Sequence, residues 1–154
     1  MTINRLRLKI NIFGQVTVGK TTFTQKLSMN DYETIMTSGA NILRKDLQID
    51  EREIQFLIWD KAGPEKFYPY KHLYSNTDGG IFMYDITNKS SLNDISKWIK
   101  NFRDTLEGKN KDIPILMLGN KIDLEDKREV SKDYALELVK KYNIFDLIEI
   151  SAKT

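Results

Sequence analysis

Residues 14–21 read GQVTVGKT and match the pattern G-x-x-x-x-G-K-[ST]. Upstream, Leu6, Leu8, Ile10 and Ile12 alternate with Arg7, Lys9 and Asn11, which predicts a strand running into Gly14. Downstream of Lys20 the pattern is that of a short helix. A glycine turn between a strand and a helix is an anion site: successive backbone N–H groups and the helix N-terminus point at phosphate oxygens, and a lysine adds charge. Gly14, Val16, Thr17, Val18, Gly19, Lys20, Thr21 and Thr22 are therefore the candidate phosphate-binding set, with Thr21 placed to ligate magnesium.

Further strands are predicted near Ile42 to Ile49, Ile54 to Trp59, Gly80 to Asp85, Ile113 to Leu118 and Phe145 to Ile150, with a hairpin at Asp50 to Arg52. Leu92, Ile95, Ile99, Phe102 and Leu106 step by three and four, the period of a helix that Ser91 and Asp94 can cap. Ala135, Leu138, Val139 and Tyr142 repeat the step after Ser131, and an irregular helix is expected around Phe67 to Tyr74. Alternating strands and helices imply an α/β fold of three layers, α/β/α, around a six-stranded, mainly parallel sheet with one antiparallel strand. In such sheets ligands sit at the carboxyl ends of the strands.

Two more motifs fall at strand ends. IWDKAGPEKF, residues 58–67, delivers Asp60 to a loop, with Gly63 three residues on and Pro64 after it. What that carboxylate holds is open from these residues alone; one reading is the cap of a following helix. Asn120-Lys121-Ile122-Asp123 follows the apolar run IPILMLG. A carboxylate at Asp123 can accept from the N1–H and 2-amino groups of guanine, a donor pair that adenine lacks. Ser151-Ala152-Lys153 follows the last predicted strand.

With 154 residues the chain suits one domain, taken as residues 1–154. Its 24 Lys and Arg against 22 Asp and Glu give a formal charge of +2, too small to indicate a nucleic-acid or membrane surface. There is no cysteine, which excludes disulfides, thiolate zinc sites, thiol catalysis and cysteine-borne lipid anchors within these residues, and an intracellular setting fits. The longest clean apolar run, Ile115 to Leu118, is far short of a membrane span.

Taken together, GQVTVGKT, Thr37 in TSGAN, IWDKAGPEKF, GGIFMYDITNKSSLNDISKW, GNKIDL and ISAK resemble a small GTPase of the Ras superfamily, nearest the Rab branch, over nearly the whole chain. The resemblance implies a GTP/GDP switch. Lys20 would contact the outer phosphates and Thr21 and Thr37 would ligate Mg2+, with Asp60 orienting the metal; Gly63 would meet the terminal phosphate. Lys20, Thr37 and Gly63 are thus the catalytic candidates. Asn120 and Asp123 would read guanine, Lys121 would line the base, the N–H of Ala152, between Ser151 and Lys153, would meet the guanine oxygen, and Tyr32 stands where an aromatic would pack beside the ring. Effectors and regulators would dock on residues 32–42 and 61–75. The implied location is cytoplasmic, with membrane contact only through partners.

Three departures from the family pattern carry expectations. Pro64 stands where members usually have the glutamine that orients the attacking water, and a pyrrolidine ring offers neither donor nor acceptor. Val16 and Thr17 stand where glycine is common, and Val16 would crowd an activator's arginine. Slow hydrolysis is expected, with a GTP-binding module that never turns over as the alternative and an ATPase or small kinase as a more distant one. The chain ends where the family continues into another helix, so apolar sheet surface is expected to lie open; Asn11 is read as an adaptation to that exposure, and either self-association through the open face or a longer natural chain follows. His72 and Trp98 are assigned packing or surface roles.

Overall fold

The computed structural model describes residues 5–37, 39–61, 76–106 and 112–154. Strand β1 (Arg5–Phe13) leads through the glycine loop into α1 (Lys20–Ser28). Then come β2 (Glu33–Thr37), β3 (Ala40–Ile49), β4 (Arg52–Lys61), β5 (Gly79–Asp85), α2 (Lys89–Thr105), β6 (Ile115–Asn120), a 3-10 turn (Ile122–Lys127), α3 (Lys132–Lys141) and β7 (Asp146–Glu149).

The strands form one sheet in the order β2-β3-β4-β1-β5-β6-β7. Among the described strands only β3 runs against the rest, pairing antiparallel with both β2 and β4, while β1 pairs parallel with β4 and β5. Among the described residues the sheet has seven strands, one more than the alternation predicts, because every residue of β2 is exposed and an unburied edge strand has no apolar period to read. Its connections leave β1 to one side and return to the other, so the loop after β1 occupies the switch point where such sheets bind ligands.

The period of two in β1 sorts its side chains between two cores. Phe13 faces α2 and α3, stacking on Phe82 at 4.6 Å and meeting Phe102 edge-on at 5.1 Å. Ile12 faces α1, in a cluster with Val18, Ile58, Met83 and Leu118 that Phe23 and Leu27 of α1 cover. Trp98 packs half-buried against the first core, as a packing residue should.

Helix starts follow their capping chemistry. The Asn88 side chain accepts the Ser90 N–H at 3.0 Å, so α2 begins before Ser91, and the predicted Ser91–Asp94 cap is replaced. Ser91 Oγ instead accepts the Asp85 N–H at 2.9 Å, tying the helix to the end of β5. Ser131 caps α3 by accepting the Tyr134 N–H. The β3–β4 hairpin turns at Asp50, whose φ of 53° is the left-handed geometry that a two-residue turn needs.

The α1 face of the sheet has an apolar groove of about 310 Å³, lined in part by Ile10, Leu47, Phe56, Leu116 and Phe145, the last 78% exposed. The expected open surface is there, but Asn11 has no share in it. Alternation turns Asn11 to the opposite face, where it is fully buried and donates to Thr77 Oγ1 at 2.6 Å. Its polarity serves a buried hydrogen bond, which corrects the reading of Asn11 as an adaptation to solvent. Gly63, Pro64, the helix expected around Phe67 to Tyr74 and His72 lie outside the described residues.

Candidate nucleotide site

Among the described residues, the loops after β1, β5, β6 and β7 meet at the carboxyl edge of the parallel strands, beside the end of β4. The loop after β1 is shaped by close approach. A Cβ on Gly14 would lie 2.7 Å from Met83 O, and one on Gly19 would lie 2.3 Å from Asn120 Nδ2. Gly19 also holds φ at 103° as the N-cap of α1, so only glycine meets both demands there. Thr17 takes φ of 75° with a β-branched side chain, a strained choice. Val18 is buried, whereas Val16 projects outward, 60% exposed.

Lys20 opens α1, and its ammonium donates to the carbonyls of Gly14 and Gln15, the latter at 2.9 Å, so the charge lies across the loop. Thr21 and Thr22 follow on the exposed first turn, where helix N–H groups have no intrahelical partner.

Asp60, the last residue but one of β4, stands in register with Ile12 and is only 5% exposed. The Thr24 hydroxyl lies 3.2 Å from Asp60 Oδ2 and 3.0 Å from the Thr21 carbonyl, sharing its one hydrogen between them. Burial pushes the Asp60 carboxyl above its ordinary pKa, opposed more weakly by the Thr24 hydrogen bond and the Lys20 charge. A buried carboxylate left mostly unneutralised beside Thr21 suits a hard dication. Among the described residues no three His, Cys, Asp or Glu cluster as a metal cage.

The base motif is held by its own first residue. Asn120, 2% exposed, donates Nδ2 to Val18 O at 2.9 Å and accepts the Ala152 N–H on Oδ1 at 2.9 Å. One side chain thus pins the phosphate loop to the Ser151-Ala152-Lys153 loop. The Ala152 N–H expected to meet a guanine oxygen is engaged by Asn120. Asp123 is exposed and accepts from Ser151 Oγ at 2.7 Å, and Lys153 is exposed too.

Lys121, at φ of 74°, pairs with Asp85 Oδ2 at 2.6 Å. Asp85 Oδ1 accepts the N–H and hydroxyl of Thr87 at 2.8 and 2.7 Å. Burial alone would raise the Asp85 carboxyl, but the Lys121 and Thr87 hydrogen bonds outweigh it and hold it below the ordinary range. Asp85, Thr24 and Gln15 belong to the site and escaped sequence reading. Asp85 offered one usable signal, a charged residue ending an otherwise apolar run.

Two candidates stand apart. Thr37 ends β2 and donates its hydroxyl to Ala40 O at 2.8 Å, across the β2–β3 turn. Tyr32 lines the apolar groove, and the Lys45 ammonium sits 4.8 Å from its ring centre. Among the described contacts neither joins Lys20, Thr21, Asp60 or Asp123.

A phosphate loop at the switch point of a mainly parallel sheet, with an acid-bearing base motif at the neighbouring strand ends, defines a P-loop nucleotide-binding protein. The Ras family model matches residues 9–154. The chain is 36% identical over 149 residues to the Ras-related protein Rab-8B of Homo sapiens, spanning 95% of this chain and 70% of the relative. It is also 36% identical over 151 residues to the Ras-related protein Rab-10 of Diplobatis ommata, spanning 96% and 74%. The chain belongs to the Ras family and is Rab-like, a guanine-nucleotide-binding switch of the GTPase class.

Proposed function

We propose that this chain, acting as one domain, binds GTP and GDP with magnesium and hydrolyses GTP slowly. The observation that supports guanine binding best is the Asn120 bridge, which sets Asp123 and the Ala152 loop at a fixed distance from the phosphate loop. In this reading Lys20 meets the outer phosphates, Thr21 and Thr37 ligate the metal with Asp60 behind them, and Gly63 meets the terminal phosphate. The metal would supply charge neutralisation at the phosphates. Thr37 reaches the site only if β2 leaves its pairing with Ala40, a rearrangement that a terminal phosphate would have to drive. A guanine oxygen at Ala152 would share the N–H now held by Asn120.

Slow turnover rests on Pro64, which cannot orient water, and gains support from the exposed Val16 side chain, which would stand in the path of an arginine supplied by a partner. Effectors would use residues 32–42 and 61–75, in a cytoplasmic setting. Among the described residues no helix is long and apolar enough to cross a membrane. The groove lined by Ile10 and Phe145 supports self-association, which light scattering tests: a monomer at all concentrations opposes it.

Single-turnover hydrolysis of bound GTP by the native chain and by Pro64→Gln tests the slow-turnover reading. Slow native hydrolysis that the substitution accelerates is the expected result. A fast native rate, unchanged by the substitution, contradicts it, and no hydrolysis over hours in the native chain would make it a non-hydrolysing module.

A further inference from the structure

We propose that Gln15 and Asp94 form a positioning tether that sets how long the phosphate loop keeps its nucleotide, a role that rests on reading that loop as the nucleotide site. Gln15 is the second residue of the loop. Its amide nitrogen lies 2.6 Å from Asp94 Oδ2 and 3.2 Å from Ser90 Oγ, both on the first turns of α2. Its backbone carbonyl accepts from Lys20 Nζ at 2.9 Å and from the Val18 N–H at 3.4 Å. One residue therefore carries a continuous connection from α2 to the phosphate-contacting lysine.

The bond is not needed by the helix. The first turn of α2 is capped by Asn88, and Ser91 joins it to Asp85. Asp94 lies 79 residues from Gln15, so the contact closes no local structure. Its consequence falls on the loop, where Gly14 is fixed by close packing with no room for a Cβ and Thr17 is held at a strained φ of 75°. The loop's N–H groups converge on a phosphate only while its backbone keeps this form, and a charge-assisted, part-buried bond restrains the segment between those points. Asp94 Oδ1 faces the exposed Lys97 at 3.7 Å, which leaves Oδ2 to the glutamine.

The test measures release of fluorescent GDP from the full chain under excess unlabelled GDP, alongside chemical denaturation of the same variants. Gln15→Ala, which loses both the Asp94 and Ser90 contacts, is expected to speed release about tenfold, Asp94→Ala severalfold, and the double variant no more than Gln15→Ala, since the Asp94 contact is already gone with the glutamine. Gln15→Glu, which sets two carboxylates face to face, should be fastest. Adding Asp94→Asn restores the pair with donor and acceptor exchanged and should return release to within about twofold of native. Lys97→Ala should leave release unchanged. Unchanged release in the single variants, additive effects, or a reversed pair as fast as Gln15→Glu overturns the tether, as does a lower unfolding midpoint with unaltered release from the folded fraction. A native chain that retains no labelled GDP overturns the nucleotide-site reading and the tether together.

Discussion

Asn120 donates its side-chain amide to the carbonyl of Val18, 102 positions earlier in the chain, and the same side chain receives the N–H of Ala152. The two ends of the site are therefore one structure held by one residue. Asn120→Ala strands a carbonyl and an N–H in a buried setting, at about 1–3 kcal/mol for each unsatisfied group. Denaturant unfolding of the nucleotide-free chain should show a loss of about 2–6 kcal/mol, with weakened nucleotide binding besides.

Thr17→Gly should stabilise. A β-branched residue at φ of 75° costs about 1–2 kcal/mol, and glycine returns about 0.5–1 kcal/mol of that as unfolded-state entropy. The net expectation is a gain of about 0.5–1 kcal/mol, read as a higher denaturation midpoint with an unchanged slope.

Asp60 carries a pH signature. Because burial raises its folded pKa, the carboxyl keeps its proton more readily in the folded chain; its contribution is fully present below the ordinary value of 3.8 and is lost as pH rises through the higher folded value. Near neutral pH, Asp60→Asn should leave the nucleotide-free chain as stable or more stable, while magnesium dependence of nucleotide binding falls by about tenfold or more. Urea titrations at several pH values, with and without magnesium, check both halves.

Asp85 behaves in the opposite sense. Its depressed folded pKa adds stability above the ordinary carboxylate range, and that stability disappears as pH falls through the lower folded value. Asp85→Asn removes the charge opposite Lys121, whose side chain is 30% exposed, so solvent screening limits the expected cost to about 1–2 kcal/mol. The acid-side slope of the unfolding profile should flatten in this variant.

What the sequence made legible follows from where the information sits. The apolar–polar alternation of Leu6 to Ile12 and the three-four step of Leu92 to Leu106 are local sequence patterns, and both became the predicted strand and helix, although burial in the strand rises steadily toward Phe13. Gly14, Gly19 and Lys20 were readable because the loop demands those residue types at fixed spacing. Strand β2 was not, since nothing along an exposed edge alternates. Nor were Gln15–Asp94, Thr24–Asp60 and Asp85–Lys121, polar pairs that only the sheet order brings together across 79 and 36 positions in the first two. Asn11 was misread because alternation says that two faces exist without saying which is covered.

The central claim is that an acid after β6 selects the base of a nucleotide whose phosphates lie on the loop after β1. Calorimetric titration of the native chain with GDP and with ADP, repeated on Asp123→Ala, tests it most directly. The account predicts GDP preferred by about 10⁴-fold or more in the native chain and most of that preference lost in the variant. Equal uptake of the two nucleotides by the native chain, or undiminished selectivity without Asp123, would contradict it.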